Sequence, residues 1–271
     1  MAVHPTAIVE DGARLAAGVE VGPFCIVHAG AELGEEVRLL SHVVVGGTTK
    51  ICARTIVHPH AVLGGDAQIR KGDAAGTRLE IGADNEIRES VTISAGSKRG
   101  HQVTKVSERC YLMAYSHIGH DCIIGNDVTM ANGVQLAGHM EVGDGVIFGG
   151  LAAGQQHSRV GKYAFISGLS GISTDVIPYG MAIGLHVRLG GLNIIGLRRR
   201  GIPRPNIHAL RAAFRAIFLE GEGRIADKAK RAGEKWPDVA EVQDVVSFIL
   251  AKPNRPICPA RRDGSDDEGD E

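Results

Sequence analysis

The sequence concentrates its acid–base side chains in one short stretch, residues 114–127, which reads AYSHIGHDCIIGND. His117, His120, Asp121 and Cys122 fall within six residues there. A neutral imidazole can accept a proton near neutral pH, and a neighbouring carboxylate can fix its tautomer. The same residue types also bind zinc. The stretch is therefore a candidate for proton transfer or for metal binding, and the direction of each side chain decides between them.

The composition excludes several classes of protein. A net charge of −1 over 271 residues gives no indication of a nucleic-acid partner. No apolar run approaches the ~20 residues that span a bilayer. The start of the sequence, MAVHPTAIVEDG, lacks the basic and apolar regions of a signal peptide. Five unclustered cysteines are typical of a reduced protein. We expect a cytoplasmic protein with no integral membrane segment and no nucleic-acid partner.

Acidic charge is concentrated at the end of the sequence. The last nine residues, DGSDDEGDE, include six acidic residues and no basic one. The rest of the chain has 30 basic and 25 acidic residues and is mildly basic. Because this end has no apolar side chain to bury, we predict a disordered acidic tail over residues 259–271.

A six-residue repeat dominates the first two thirds of the sequence. An aliphatic residue recurs at every sixth position from Val9 to Leu63, again from Ile81 to Ile93, and one step out of phase from Val106 onward. The fifth residue of each hexad is small or β-branched. This period fits neither an α-helix nor an alternating strand, and it is typical of a parallel β-helix with three hexads per coil. We predict a mainly β fold, with a β-helix over residues 1–190.

Glycine often follows the aliphatic residue of a hexad, as Gly22 and Gly34 do, and we expect it to ease the turn. Two polar segments, at about 64–80 and 94–105, interrupt the repeat and are predicted excursion loops. The first is also nearly one coil long, so an extra coil is the alternative. After Pro178 a 3.6-residue periodicity predicts a small C-terminal α-helical domain over residues 191–258.

The repeat also predicts the direction of the candidate side chains. Cys122 is the fifth residue of its hexad and faces the core, which argues against a cysteine metal site. His120 and Asp121 lie outside the core, and His117 lies at the corner before them. The same face one and two coils later carries Gly138, His139, Gln156 and His157.

Single histidines on a β-helix surface are usually solvated, but this convergence favours a proton-transfer site. His120 is the candidate base and Asp121 its orienting partner. A backbone N–H near Gly138 is placed to stabilise an oxyanion. Since no serine or cysteine there is placed as a nucleophile, direct transfer to a substrate hydroxyl is expected.

Beyond these residues, seven longer motifs carry a family resemblance: VHPTAIVEDGA, VGPFCIV, LLSHVVVGGTTKI, RLEIGADNEIRESVTI, HIGHDCIIGN, LAGHMEV and LNIIGLRRRG. Over residues 3–250 the chain resembles the acyl-[acyl-carrier-protein]–UDP-N-acetylglucosamine O-acyltransferases, which begin lipid A biosynthesis in Gram-negative bacteria. The resemblance implies a left-handed β-helix, a homotrimer, and transfer of a (3-hydroxy)acyl chain from acyl carrier protein to the 3-position of a UDP-aminosugar. It implies no cofactor and no metal.

The resemblance also implies residue roles. His120 is the general base, Asp121 its partner and Gly138 the oxyanion donor. The implied substrate-binding residues are Gln68, Lys71, His117, His139, Gln156, Asn193, Arg199 and Arg200. Gly168 and His186 are implied to bound the acyl groove.

The chain departs from the family pattern at several sugar and nucleotide positions. Ile69 stands where the family has a sugar-binding aspartate, and Gln155, His157 and Ile195 also differ. The acceptor is therefore UDP-N-acetylglucosamine, its 3-amino analogue or another sugar. Tolerated change in a loop explains Ile69 equally well.

Two other functions are consistent with this fold. One is a γ-carbonic-anhydrase-like metalloenzyme, with His117, His120 and His139 closing on a metal between subunits. The other is a non-enzymatic trimeric scaffold.

Overall fold

The chain folds into a left-handed parallel β-helix followed by a small α-helical region, as predicted. The computed structural model describes residues 2–70, 75–251 and 254–261. The coils have three faces, and each face is one sheet that gains a strand per coil. The chain runs from sheet A to sheet B to sheet C, and corners AB, BC and CA are the turns between them.

The strand bounds follow the hexads closely. Sheet A contains Ala2–Val3, Glu20–Val21, Arg38–Leu39, Ile56–Val57, Glu86–Ile87, Tyr111–Leu112, Thr129–Met130, Ile147–Phe148, Phe165–Ile166, Gly180–Ile183 and Arg188–Leu192. Sheet B contains Ile8–Val9, Ile26–Val27, Val44–Val45, Val62–Gly65, Thr92–Ser94, His117–Ile118, Gln135–Leu136, Ala153–Gly154 and Gly171–Ile172. Sheet C contains Arg14–Leu15, Glu32–Leu33, Thr49–Ile51, Arg78–Ile81, Val103–Val106, Ile123–Ile124, Glu141–Val142 and Arg159–Val160. The last two strands of sheet A pair antiparallel.

In the interior coils, the aliphatic residue of each hexad packs inside the triangular cross-section of the β-helix. Ile118 and Leu136 are fully buried and pair at a separation of 18 residues. The small position of the hexad is also buried, and Cys122 is fully enclosed there as predicted. Burial of these stacked side chains against their neighbours supplies the hydrophobic stabilisation of every coil.

The glycines that follow the aliphatic residues serve a different purpose from the predicted one. Gly22 and Gly34 do not have positive φ angles. A Cβ atom on Gly22 would instead overlap the carbonyl oxygen of Leu40 in the next coil. The left-handed residue comes two positions later, as at Phe24 (φ 59°). These glycines therefore allow coils to stack closely, and residues other than glycine make many of the turns.

The strand register shows that both interruptions are excursions from corner BC. Leu63 pairs with Ile93 instead of a residue 18 positions on, so the chain leaves the coil after Val62–Gly65, returns at Arg78–Ile81 and adds no coil in this first excursion. Residues 71–74 of the predicted loop lie outside the described residues. Ile93 pairs with Ile118, which leaves residues 95–102 as a second excursion. Both are shorter than predicted, because the ends of 64–80 and 94–105 continue into strands.

Within the described residues, four α-helices follow the β-helix. They are α1 (Ile194–Arg199), α2 (Arg204–Phe214), α3 (Ile225–Lys235) and α4 (Ala240–Leu250), and α2 continues as a π-helical turn over Arg215–Leu219. The apolar residues of the 3.6-residue periodicity form the buried faces of α2 and α4. Helix α1 lies within the predicted helical domain, although Ile194, Ile195 and Gly196 have weak helix propensity. No helix within the described ranges is long and apolar enough to cross a bilayer.

The segment 254–261 returns to the end of the β-helix. The Asp175 N–H donates to the Pro256 carbonyl, and the Cys258 N–H donates to the Asp175 carbonyl. The Arg261 N–H donates to the Leu189 carbonyl. The tail predicted from residue 259 therefore starts too early, because residues 259–261 are bonded in place. Residues 262–271 lie outside the described part of the chain.

The buried side chain of Asn85 joins two coils where the register changes. Its amide accepts a hydrogen bond from the Cys110 N–H (2.7 Å) and donates to the carbonyls of Gly82 and Ser107 (2.9 Å each). Asn85→Ala should lower the free energy of unfolding by about 2–4 kcal/mol, because it leaves these groups buried and unpaired. Urea unfolding measures the change. Lys50→Ala, on an exposed position of sheet C, should change stability by less than about 0.5 kcal/mol.

Candidate active site

His120 and Asp121 form a hydrogen-bonded pair at corner BC, directly after strand His117–Ile118. The distance between His120 Nδ1 and Asp121 Oδ2 is 2.8 Å. His120 is only 7% exposed and the Asp121 side chain is fully buried. A carboxylate only accepts hydrogen bonds, so the imidazole proton lies on Nδ1 and Nε2 is left as the acceptor. This arrangement suits a general base.

The second excursion covers the carboxylate of Asp121. The Ser97 N–H donates to both carboxylate oxygens (3.1 and 3.0 Å), and the Ser97 hydroxyl donates to Oδ2 (2.5 Å). Gly100 lies so close that a Cβ atom there would overlap the carboxylate. Burial raises the pKa of Asp121, but the hydrogen bonds from Ser97 and His120 outweigh it and hold this pKa below the ordinary value. Asp121 therefore stays ionised beside His120.

The next two coils place a glycine and two imidazoles beside the pair. A Cβ atom on Gly138 would lie 2.6 Å from His120 Cε1, so the imidazole lies against this glycine. The ring centroids of His120 and His139 are 4.9 Å apart, and His157 stacks on His139 at 4.5 Å. Burial, with the neighbouring imidazoles, lowers the pKa of His139 despite Asp121. His139 is thus neutral at pH 7.

His117 faces outward from sheet B in the coil of His120. Its Nδ1 lies 2.7 Å from the hydroxyl of Thr92, and burial lowers its pKa.

The lowered pKa of His117 predicts a pH dependence of stability. The unfolded chain binds a proton below about pH 6.5, whereas folded His117 binds it only at lower pH. The contribution of this group is therefore complete above pH 6.5 and is lost as the pH falls through the folded pKa. Urea unfolding of the wild type and His117→Gln between pH 8 and 5 measures it, and a shallower pH dependence is expected in the variant. Equal slopes would contradict this interpretation.

Several other residues predicted for the site lie at or near corners BC and AB. Gln68 is exposed in the first excursion, and Lys71 lies outside the described residues. The carbonyl of Gln156 accepts two hydrogen bonds from Arg255 (3.1 and 2.9 Å). Gly168 is in the turn at corner AB. His186 is in the turn between the last two strands of sheet A, which packs on Gly171.

The predicted nucleotide contacts lie at corner CA instead. Asn193 caps α1 by accepting from the Gly196 N–H (3.0 Å), and its amide donates to the Tyr163 carbonyl (3.1 Å). The Arg200 guanidinium lies 3.9 Å from the centroid of the Tyr163 ring. Both side chains thus attach the helices to the β-helix.

Arg199 differs from its two neighbours in the predicted set. Its side chain is exposed and has no hydrogen bond or ion pair with another described residue. Corners BC and CA are separated by a whole face of the triangle. A single chain therefore does not bring Arg199 and His120 together.

Comparison with known proteins identifies the family. A model described as UDP-N-acetylglucosamine O-acyltransferase, domain 2, matches residues 175–258, and one for six bacterial transferase hexapeptide repeats matches residues 104–138. The acyl-[acyl-carrier-protein]–UDP-N-acetylglucosamine O-acyltransferase of Bartonella henselae is 44% identical over 97% of this chain and 95% of its own length. The chain belongs to this O-acyltransferase family.

Further relatives agree with this family membership. The O-acyltransferase of Sinorhizobium fredii is 44% identical over an alignment that spans 65% of this chain and 65% of the relative. The structure of LpxA from Acinetobacter baumannii is 36% identical, with a TM-score of 0.91 over 94% of this chain and 99% of that one. The Campylobacter jejuni UDP-N-acetylglucosamine acyltransferase is 32% identical, with a TM-score of 0.89 over 96% and 100%.

The structure of this O-acyltransferase family member also brings together potential metal ligands. Atoms of His120, Asp121 and His139 all lie within 4.8 Å of one another. This group differs from the carbonic-anhydrase-like set, which needed His117. Cys122 takes no part, because its thiol faces the core and donates to the Ala137 carbonyl.

Sequence reasoning missed the residues that hold Asp121 in place. Ser97 and Gly100 lie in the second excursion, and the Thr104 hydroxyl accepts from the Asp121 N–H (2.8 Å). The sequence did contain one indication of their role: both interruptions leave the six-residue repeat at the corner that carries His120.

Proposed function

We propose that the protein transfers a (3-hydroxy)acyl chain from acyl carrier protein to the 3-position of a UDP-N-acetylglucosamine-type sugar, the first step of lipid A biosynthesis, in the cytoplasm. The observation that carries this proposal is the His120–Asp121 pair in a member of this family. Its imidazole has a free Nε2 and lies against Gly138.

The reaction follows from these groups. His120 Nε2 takes the proton of the sugar hydroxyl as the oxygen attacks the thioester carbonyl of the acyl donor. Asp121 stabilises the imidazolium that forms. The Gly138 N–H has no acceptor among the described residues, so it is available to the oxyanion. The carbon–sulfur bond then breaks, and the imidazolium returns the proton to the thiolate of the carrier protein.

The identity of the acceptor depends on the first excursion. Ile69 is 39% exposed there and has no charge with which to bind an amino or hydroxyl group of a sugar. The proton-transfer pair accepts either a hydroxyl or an amine at the 3-position. UDP-N-acetylglucosamine and its 3-amino analogue are therefore both candidate acceptors.

We infer that the acyl chain lies along sheet B towards corner AB. Gly168 and His186 lie where sheet B meets corner AB. Beside them, Leu169 and Leu185 each expose more than half of their surface. These apolar side chains suit an acyl chain, which loses its contact with water on binding.

We propose that the site is shared between the subunits of a homotrimer, as the family resemblance implies. His120 lies at corner BC and Arg199 at corner CA, so both can contact one substrate only if a second copy supplies one of the corners. A closed ring of heterologous contacts gives three such sites. Arg199 is then free to bind a phosphate group, which the guanidinium geometry favours.

An acyltransfer assay tests the proposal. Tag-free protein treated with EDTA is mixed with 3-hydroxyacyl carrier proteins of several chain lengths and with each of the two acceptors. Product formed with only one acceptor identifies the sugar substrate. The acyl carrier protein that reacts fastest identifies the preferred length of the acyl chain. Absence of product with both acceptors would refute the proposed function.

The trimeric site makes a prediction about mixed subunits. His120→Ala and Arg199→Ala should each lose activity alone, Arg199→Ala by about tenfold or more because a charge-assisted contact is removed. Unfolding and refolding the two variants together at equal amounts should restore roughly a quarter of the wild-type activity, since one site in four combines two intact residues. Activity of the mixture no higher than that of the variants would exclude a shared site.

A further inference from the structure

The cluster of His120, Asp121 and His139 has the spacing of a metal site. His120 Nδ1 lies 2.8 Å and His139 Nε2 lies 3.8 Å from Asp121 Oδ2. Zinc bonds of about 2.0–2.2 Å place neighbouring ligand atoms of a tetrahedral site about 3.3–3.6 Å apart. The two observed separations lie on either side of this range and all three ligand groups lie within 4.8 Å of one another, so rotation of the imidazoles would bring the three ligands onto one ion.

The residues around the cluster hold its ligand atoms in place, as the surroundings of protein metal sites do. Ser97 donates two kinds of hydrogen bond to Asp121, from its N–H and from its hydroxyl, and so fixes the carboxylate. Such outer contacts orient metal ligands and strengthen metal binding. The His139 side chain is 18% exposed, which leaves solvent access to the otherwise buried cluster.

We propose that this cluster binds one divalent transition-metal ion per chain, with Zn²⁺ as the best fit, and that the bound ion stops proton transfer. Two imidazoles and one carboxylate favour Zn²⁺ over Mg²⁺, which prefers oxygen ligands. The fourth position is open to water. Binding is independent of the proposed function, whereas the inhibitory effect rests on it.

The inhibition follows from the tautomer of His120. In the metal-free protein the single imidazole proton is on Nδ1 and Nε2 accepts the substrate proton. A metal on Nδ1 requires that atom to be unprotonated, so the proton moves through solvent to Nε2 without net gain or loss. Nε2 is then a donor and no longer acts as a base. The ion also coordinates Asp121, so this carboxylate no longer stabilises the imidazolium of His120.

The binding experiment uses Co²⁺ and Zn²⁺ with EDTA-treated, tag-free protein. We expect one Co²⁺ per chain, detected by its visible absorption, and displacement by Zn²⁺ but not by Mg²⁺. Asp121→Asn and His139→Ala should abolish this signal, and Ser97→Ala should weaken affinity about 10–100-fold. The matched control is His42→Ala with His60→Ala, which removes an exposed imidazole pair of similar spacing, 4.9 Å, and should leave the signal unchanged.

Two results would overturn the proposal. The first is a failure of the wild type to bind Co²⁺, or Co²⁺ binding that Asp121→Asn does not weaken. The other is a higher acyltransfer rate with Zn²⁺, where we expect at least a tenfold loss that EDTA reverses. If the EDTA-treated protein forms no product with any acceptor, the proposed function fails, and the Co²⁺ titration still decides whether the site exists.

Discussion

His120→Ala will lower kcat for acyl transfer by about 10²–10⁴-fold while the β-helix stays folded. The substitution removes the one imidazole whose Nδ1 is held by Asp121 and whose Nε2 is free (Nδ1 to Oδ2, 2.8 Å). His120 lies outside the core, so no coil loses its aliphatic packing. Initial rates with saturating acyl carrier protein and acceptor measure the loss, and circular dichroism and the melting temperature monitor the fold.

A matched variant separates this effect from a general effect of losing a histidine. His60→Ala removes an exposed imidazole at corner AB, away from Asp121, and should leave kcat unchanged. His120→Ala with full activity would exclude His120 as the base. Loss of activity together with loss of secondary structure would contradict the expectation that the fold is retained.

Gly138→Ala should be nearly as damaging although it removes no functional group. The added methyl group would lie 2.6 Å from His120 Cε1, so the imidazole must move away. A displacement of about 1 Å at a reacting group costs on the order of 10²-fold in rate. The expected result is a large fall in kcat with little change in melting temperature, because the coil can accept the methyl group once His120 has rotated.

Gly150→Ala is the control for the glycine substitution. Like Gly138, Gly150 lacks a positive φ, and its nearest neighbour to an added Cβ atom is the Asn132 carbonyl oxygen at an ordinary 3.6 Å. Gly150→Ala should retain wild-type kcat. If both variants lose activity equally, the cause is a change in the coils and not the position of His120.

The six-residue period predicted most of the fold because every coil repeats the same pattern of buried residues. A buried aliphatic residue such as Ile118 recurs in fixed phase, and from that phase follow the direction of Cys122 and the position of His139 beside His120. Side chains outside the repeat were harder to place. The second excursion has no period, so Ser97 and its contact with Asp121 were not predicted.

The helical end shows a different limit. The motif LNIIGLRRRG drew attention to Asn193 and Arg200 as ligand-binding residues, yet both have partners within the chain. A sequence reports which residue types are present, but whether an amide caps a helix or binds a ligand depends on contacts that only the folded chain defines. Arg199, between the same motif residues, remains available.

The departure of both excursions from one corner has a consequence for how this protein can diversify. The coils above and below keep their spacing of 18 residues, as Ile26 with Val44 and Ile118 with Leu136 do. The first excursion can therefore change in sequence without altering the distance between His120 and Gly138, whereas the second excursion holds Asp121 through Ser97. Acceptor preference and proton transfer are separable traits of this scaffold, and Ile69 stands on the part that is free to vary.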